Sequence, residues 1–126
     1  ISQVAKIRAL CGDALDVYSG NDDQIVPILS LVGKGVISVL SNVMPQEAHD
    51  IVALYLAGKV QESMQLQLRL LAMCDALFCD VNPIPVKEAM NQMGLAVGEC
   101  RLPLIGTSEQ NRTRIHDALY RFGLFK

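Results

Sequence analysis

The sequence predicts an α/β chain in which two short parallel strands alternate with helices and a purely helical stretch follows. Three observations carry that reading. Tyr18-Ser19-Gly20-Asn21-Asp22 and Gly35-Val36-Ile37-Ser38-Val39 each run a short β-branched or apolar segment into loop residues. Asn82-Pro83-Ile84-Pro85-Val86-Lys87 places two prolines where helical periodicity breaks and resumes, marking a sharp junction. Two buried strands do not make a stable sheet alone, so the chain reads as part of a larger fold.

The elements follow in order. Ser2 to Leu10 is an amphipathic helix with Val4, Ile7 and Leu10 inward and Gly12 as its left-handed stop. Leu15 to Tyr18 is the first strand, ending at Ser19-Gly20. Asp22 and Asp23 stand where the next helix needs anionic caps for its exposed N–H groups. That helix carries Ile25, Val26, Ile28, Leu29 and Leu31, and Gly33 closes it. Gly35 to Val39 is the second strand, apolar on both faces as a parallel strand covered by helices should be. Pro45 opens a helix with Ala48, Ile51, Val52, Tyr55 and Leu56 inward, stopped by Gly58.

Beyond Gly58 the alternation ceases, which sets residues 1–58 apart from a helical appendage over 59–126. Val60 to Phe78 carries two apolar stripes. Val60, Met64, Leu68, Leu71 and Phe78 form one; Leu66, Leu70, Met73 and Leu77 form the other. Two stripes imply burial over a wide arc. Pro83 and Pro85 bias Asn82 and Ile84 toward extended backbone, with helix resuming over Val86 to Met93. Arg101-Leu102-Pro103-Leu104 is an extended crossing. Thr107-Ser108-Glu109 caps a last helix reaching about Phe122, with Ile115, Leu119 and Phe122 inward and Gly123 as its stop.

Composition narrows the function classes. The 126 residues are 51% hydrophobic with a net charge of −2, which argues against disorder, nucleic acid and an anionic membrane surface as partners. Arg112, Arg114, Arg121 and Lys126 form the one basic cluster, read as a solvated face. No apolar run approaches the roughly 20 residues of a membrane span. Residue 1 is Ile and helical periodicity is already running at Val4, so the chain reads as beginning inside a structure, with no signal peptide visible. Cys11, Cys74, Cys79 and Cys100 lack C-x-x-C spacing. Free thiols in a reducing cytoplasm are expected, and no metal.

In α/β barrels chemistry gathers at the carboxyl ends of strands. Here those ends are Ser19-Gly20-Asn21 and Ile37-Ser38-Val39. Gly20 would let a substrate approach the backbone, although a simple turn glycine explains it as well. Ser38 and Ser41 have no base nearby in sequence, which argues against a nucleophilic serine. Lys34, Lys59 and Lys87 lack the desolvated setting that imine chemistry asks of an amine.

Taken in order and at their spacing, Tyr18 to Asp22, Gly35 to Val39 through Asn42-Val43, Asn82 to Lys87 and Arg101 to Leu104 resemble the dihydrodipicolinate synthase family. These are Schiff-base enzymes of lysine and diaminopimelate synthesis. The resemblance spans essentially the whole chain, and the Asn-Pro-Ile-Pro-Val-Lys run separates it from the related N-acetylneuraminate lyases. It implies a (β/α)8 TIM barrel followed by a three-helix C-terminal domain. This chain would supply strands seven and eight with their helices (1–58) and the helical domain (59–126).

The implied activity condenses pyruvate with aspartate semialdehyde through a lysine imine, without cofactor, in a cytoplasmic homo-oligomer. The resemblance places the Schiff-base lysine and proton-relay tyrosine before residue 1, so no catalytic residue falls in this chain. It carries over Gly20, whose backbone lines the pyruvate pocket, and Asn21 and Asp22 in the adjoining loop. It also carries over Ile37, whose main-chain carbonyl lies against the lysine. One departure stands out: Val32 occupies a position usually held by glycine, and positive φ there would cost a β-branched residue ~1–2 kcal/mol. Two other readings stay open: a related pyruvate aldolase acting on a sugar acid, and an inactive, self-associating helical module.

Overall fold

The computed structural model describes residues 1–125; Lys126, the last member of the basic cluster, lies outside them. The chain divides into two compact units, Ile1–Arg69 and from Leu70 onward. The division falls within one helix, downstream of the change in sequence character at Gly58.

The first unit begins with α1 (Ser2–Cys11), in which no residue is buried and Leu10 is 86% exposed. Of its expected inward face Val4 and Ile7 are half-buried and only Leu10 is left open, α1 packing chiefly against the turn that follows it. Gly12 does take positive φ, with Arg8 donating to its carbonyl. Strand β1 (Tyr18–Ser19) and strand β2 (Gly35–Val36) then pair in parallel, Tyr18 opposite Gly35 and Ser19 opposite Val36. Flanking bonds from Lys34 N–H to the Val17 carbonyl and from Ile37 N–H to the Ser19 carbonyl extend the ladder at both ends. The strands are shorter than the sequence suggests, and one face is open: Tyr18 is 51% and Ile37 76% exposed.

Between the strands lies α2 (Ile25–Leu29), and after them α3 (Pro45–Leu56), with Pro45 at its start. Proline fits there because the first helical N–H groups have no intrahelical acceptor. These two helices pack on each other, burying Ile25, Ile28, Leu29, Ala48 and Ile51. Leu56, expected inward, is exposed. It sits in the last turn of α3, beside the Gly58 stop.

The left-handed stop of α2 falls at Val32 and not at the expected Gly33. Gly33 N–H donates to the Ile28 carbonyl and Val32 N–H to the Leu29 carbonyl. This is the paired bond pattern of a Schellman cap, and it puts the left-handed residue one position before Gly33. Val32 therefore occupies φ 65°. Gly33 is needed for a different reason: a Cβ there would sit 2.7 Å from the Ile28 carbonyl oxygen.

Helix α4 (Val60–Leu77) belongs to both units. Of its two stripes, Leu70, Met73 and Leu77 are buried, as are Ser63 and Gln67, whereas Val60, Met64, Leu68 and the following Phe78 remain exposed. In the second unit, α5 (Ile84–Gln92) and α6 (Glu109–Arg121) pack together. They bury Ile84, Val86, Ala89, Ile115, Ala118 and Leu119. Helix α5 starts at Ile84 rather than Val86, because Pro85 falls in its first turn, where a missing N–H costs no bond. Asn82-Pro83 and Leu102-Pro103 are cis. Arg101 to Leu104 is a turn and not an extended crossing: Leu104 N–H closes on the Arg101 carbonyl at 3.1 Å. Ser108 caps α6 by accepting from Asn111 N–H, as the sequence suggests. Among the described residues no helix is long and apolar enough to cross a membrane.

Candidate functional site

Both strand ends open toward the same edge of the small sheet, because a parallel pair delivers its carboxyl ends together. The Ser19 carbonyl accepts Ile37 N–H at 2.8 Å, tying the loop after β1 to the residue that follows β2. The buried Ser19 hydroxyl donates to the Asn21 carbonyl (2.7 Å) and accepts from Asn21 N–H (3.2 Å). A closed turn with Gly20 at its apex results. Gly20 is exposed, and nothing stands within 4 Å of where its Cβ would be, so its backbone is open to a ligand. Asn21 is also exposed.

Asp22 behaves differently from its neighbours. It is 1% exposed, and its Oδ2 accepts from Val39 N–H (3.0 Å) and Leu40 N–H (2.9 Å). Its Oδ1 is buried without a hydrogen-bond partner. The sequence predicts Asp22 and Asp23 as caps for α2. Instead Asp22 caps the single 3-10 turn Leu40–Asn42 after β2, and Asp23 is exposed. The start of α2 is served from α4 by the buried amide of Gln67, which accepts from Val26 N–H and donates to the Asp23 carbonyl, both at 2.7 Å. No local pattern announces a partner that far along the chain, so this residue was invisible to periodicity.

Several of the remaining candidates are spent on structure. Ser38 Oγ accepts from Ser41 N–H, and Ser41 Oγ donates to the Ser38 carbonyl, both at 2.9 Å. Lys87 Nζ donates to the Glu99 carbonyl at 2.7 Å, and Lys59 pairs with Glu62 at 3.7 Å. Arg112 of the basic cluster bridges Glu88 (3.2 Å) and Glu109 (3.3 Å). Burial pushes the Cys79 thiol up from its ordinary range, so it is not a primed nucleophile. Among the described residues no group of three His, Cys, Asp or Glu side chains is arranged to hold a metal. A cleft of about 520 Å³ runs beside β2 and α3, lined by Tyr18, Gly35, Ser38, Ser41, Ala48 and His49 among others. It includes none of Gly20, Asn21, Asp22 or Ile37.

Comparison with known proteins gives these strand ends a context. The profile of the Dihydrodipicolinate synthetase family matches residues 1–121. A 4-hydroxy-tetrahydrodipicolinate synthase of Caldicellulosiruptor saccharolyticus is 57% identical over 124 residues, covering 98% of this chain and 42% of the relative. The Clostridium tetani protein of the same name is 51% identical over all 126 residues, 43% of its own length. Among solved structures, the dihydrodipicolinate synthase of Thermotoga maritima superposes with a TM-score of 0.93 at 38% identity, over 98% of this chain and 43% of that one. A monomeric dihydrodipicolinate synthase variant matches with a TM-score of 0.91 at 37% identity, over 98% and 42%. The chain thus spans less than half the length of these relatives.

Proposed function

The chain belongs to the dihydrodipicolinate synthetase family, and from that premise we propose that it is the C-terminal portion of a synthase condensing pyruvate with aspartate semialdehyde. In this reading residues 1–58 supply the last two strands of a TIM barrel with their helices, and residues 59–126 form its helical C-terminal domain. The observation that carries the proposal is the joining of two strand ends at one edge. Ser19 sets Gly20 and Asn21 beside the start of the Ile37 loop through the 2.8 Å bond to Ile37 N–H.

The chemistry assigned to the complete enzyme begins when a lysine amine attacks the keto carbon of pyruvate, expelling water to leave an imine. Loss of a methyl proton then gives a carbon nucleophile that adds to the aldehyde. The lysine and the proton-relay tyrosine lie outside this chain. What this chain contributes is a wall: the open backbone at Gly20, the adjoining Asn21 and Asp22, and the main-chain carbonyl of Ile37. A carbonyl oxygen aimed at a lysine amine accepts its proton in a hydrogen bond and so orients it for attack.

Substrate range tests the proposal. A full-length protein carrying this chain should turn over pyruvate with aspartate semialdehyde. Preference for N-acetylneuraminate or a ketodeoxy sugar acid would instead assign it to a sister aldolase. One observation supports a non-catalytic alternative: Val60, Met64 and Leu68 leave an apolar stripe exposed on α4, suited to self-association.

A further inference from the structure

We propose that Asp22 is a positioning residue, which fixes the direction of the Ile37 carbonyl by capping the turn that follows β2. The significance of that carbonyl rests on the pyruvate-pocket reading above; the geometry does not. Two successive N–H groups, of Val39 and Leu40, converge on the single oxygen Oδ2 at 3.0 and 2.9 Å. A carboxylate accepting both forms charge-assisted bonds, the strong kind, and two adjacent peptide planes can share one acceptor only if the chain turns there. These N–H groups open the 3-10 turn Leu40–Asn42, whose own N-cap residue, Val39, makes no side-chain cap bond. Asp22 therefore does for this turn what a local Ser or Asp does elsewhere, from across the sheet.

Ile37 lies between two fixed points. Upstream, its N–H is held by the Ser19 carbonyl at 2.8 Å. Downstream, Ser38 is locked to Ser41 by two bonds and Val39 by Asp22. With the planes on either side held, little freedom remains for the carbonyl between them. The Ile37 side chain is 76% exposed, so its own packing does not supply that constraint. At 1% exposure, with Oδ2 committed to the Val39 and Leu40 N–H groups, the Asp22 carboxylate serves that wall through the backbone it holds. Its role is to couple the loop of Gly20 and Asn21 to the loop of Ile37, so that a displacement of one is carried to the other.

The test uses the isotopically labelled full-length protein carrying this chain and two variants, Asp22→Ala and Asp22→Asn. Amide exchange and the carbonyl carbon resonance of Ile37 are read. Asp22→Ala should speed exchange at Val39 and Leu40 by about tenfold or more and shift the Ile37 carbonyl signal, leaving α5 and α6 amides unchanged. Asp22→Asn keeps an acceptor oxygen and should restore most of both signals. That rescue separates capping from bulk stability, and it decides the matter if the alanine variant does not fold. Val39 and Leu40 exchanging within twofold of the parent in Asp22→Ala would overturn the proposal. So would an unmoved Ile37 carbonyl, or Asp22→Asn behaving no better than Asp22→Ala. None of these readouts involves substrate, so the proposal can fail while the synthase reading stands, and the reverse.

Discussion

Replacing Val32 with glycine should stabilise the first unit, and the chain supplies its own controls. Among the described residues four helices end in the same paired bond pattern. Lys59 and Gly58 close α3, Leu95 and Gly94 close α5, and Leu124 and Gly123 close α6. In those three the left-handed residue is glycine, at φ 81°, 81° and 67°; at the end of α2 it is Val32, at φ 65°. An L-residue there brings Cβ against the following carbonyl at a cost of roughly 1–2 kcal/mol, and β-branching places Val at the upper end or beyond. Against this gain stand about 0.5–1 kcal/mol for the extra freedom glycine loses on folding and a lost contact. Val32 is 56% exposed, so that contact is less than half of the roughly 1.5 kcal/mol a buried valine contributes. The net expectation for Val32→Gly is a gain of several tenths to about 1 kcal/mol. Val32→Ala removes most of the contact but keeps the strained Cβ, so the glycine variant should exceed the alanine variant by about 1 kcal/mol. Urea unfolding followed by far-UV circular dichroism reads this as a shift in midpoint at constant slope. A glycine variant no more stable than the alanine variant would refute the strain argument.

Three further outcomes follow from the same geometry. Gly33→Ala should lose about 1–3 kcal/mol, because its Cβ would stand 2.7 Å from the Ile28 backbone oxygen; the same urea series checks it. Gln67→Ala should cost about 1–3 kcal/mol by stranding Val26 N–H and the Asp23 carbonyl, and Val26 should show the largest increase in amide exchange. Asp80 should make the second unit acid-sensitive. The Val81 N–H, then the Thr107 hydroxyl, hold its carboxyl below the usual 3.8. A carboxyl depressed in the folded state contributes stability that is complete above the unfolded value and lost as pH falls through the folded one. Midpoints measured downward from pH 3.8 should fall more steeply for the parent chain than for Asp80→Asn.

What could be read from residues alone was what local chemistry dictates. Pro45 as a helix start, Ser108 as a cap, Gly58 and Gly123 as stops, and a parallel pairing of the Tyr18 and Gly35 segments all depend on the residue itself or its near neighbours. The readings that changed depend on distance. Asp22 followed by Asp23 looks like a local cap, but the N–H groups that claim Asp22 belong to Val39 and Leu40, and Gln67 serves α2 in its place. Periodicity turns the apolar stripes of α1 and α4 inward because it reports a face, not what covers it. Leu10 at 86% exposure and Leu68 at 56% have no cover in this chain. The candidate site shows the same division: Gly20 was legible as a turn with open backbone, whereas the coupling from Asp22 to the Ile37 loop was not.

The most direct test of the central reading is imine trapping. The 126-residue chain and a full-length family protein containing it are treated with pyruvate and borohydride, and intact mass and peptide maps are taken. The account predicts no adduct on the 13.8 kDa chain and one reduced pyruvate on the longer protein, at a lysine outside residues 1–126. An adduct on Lys34, Lys59, Lys87 or any other amine of this chain would contradict it.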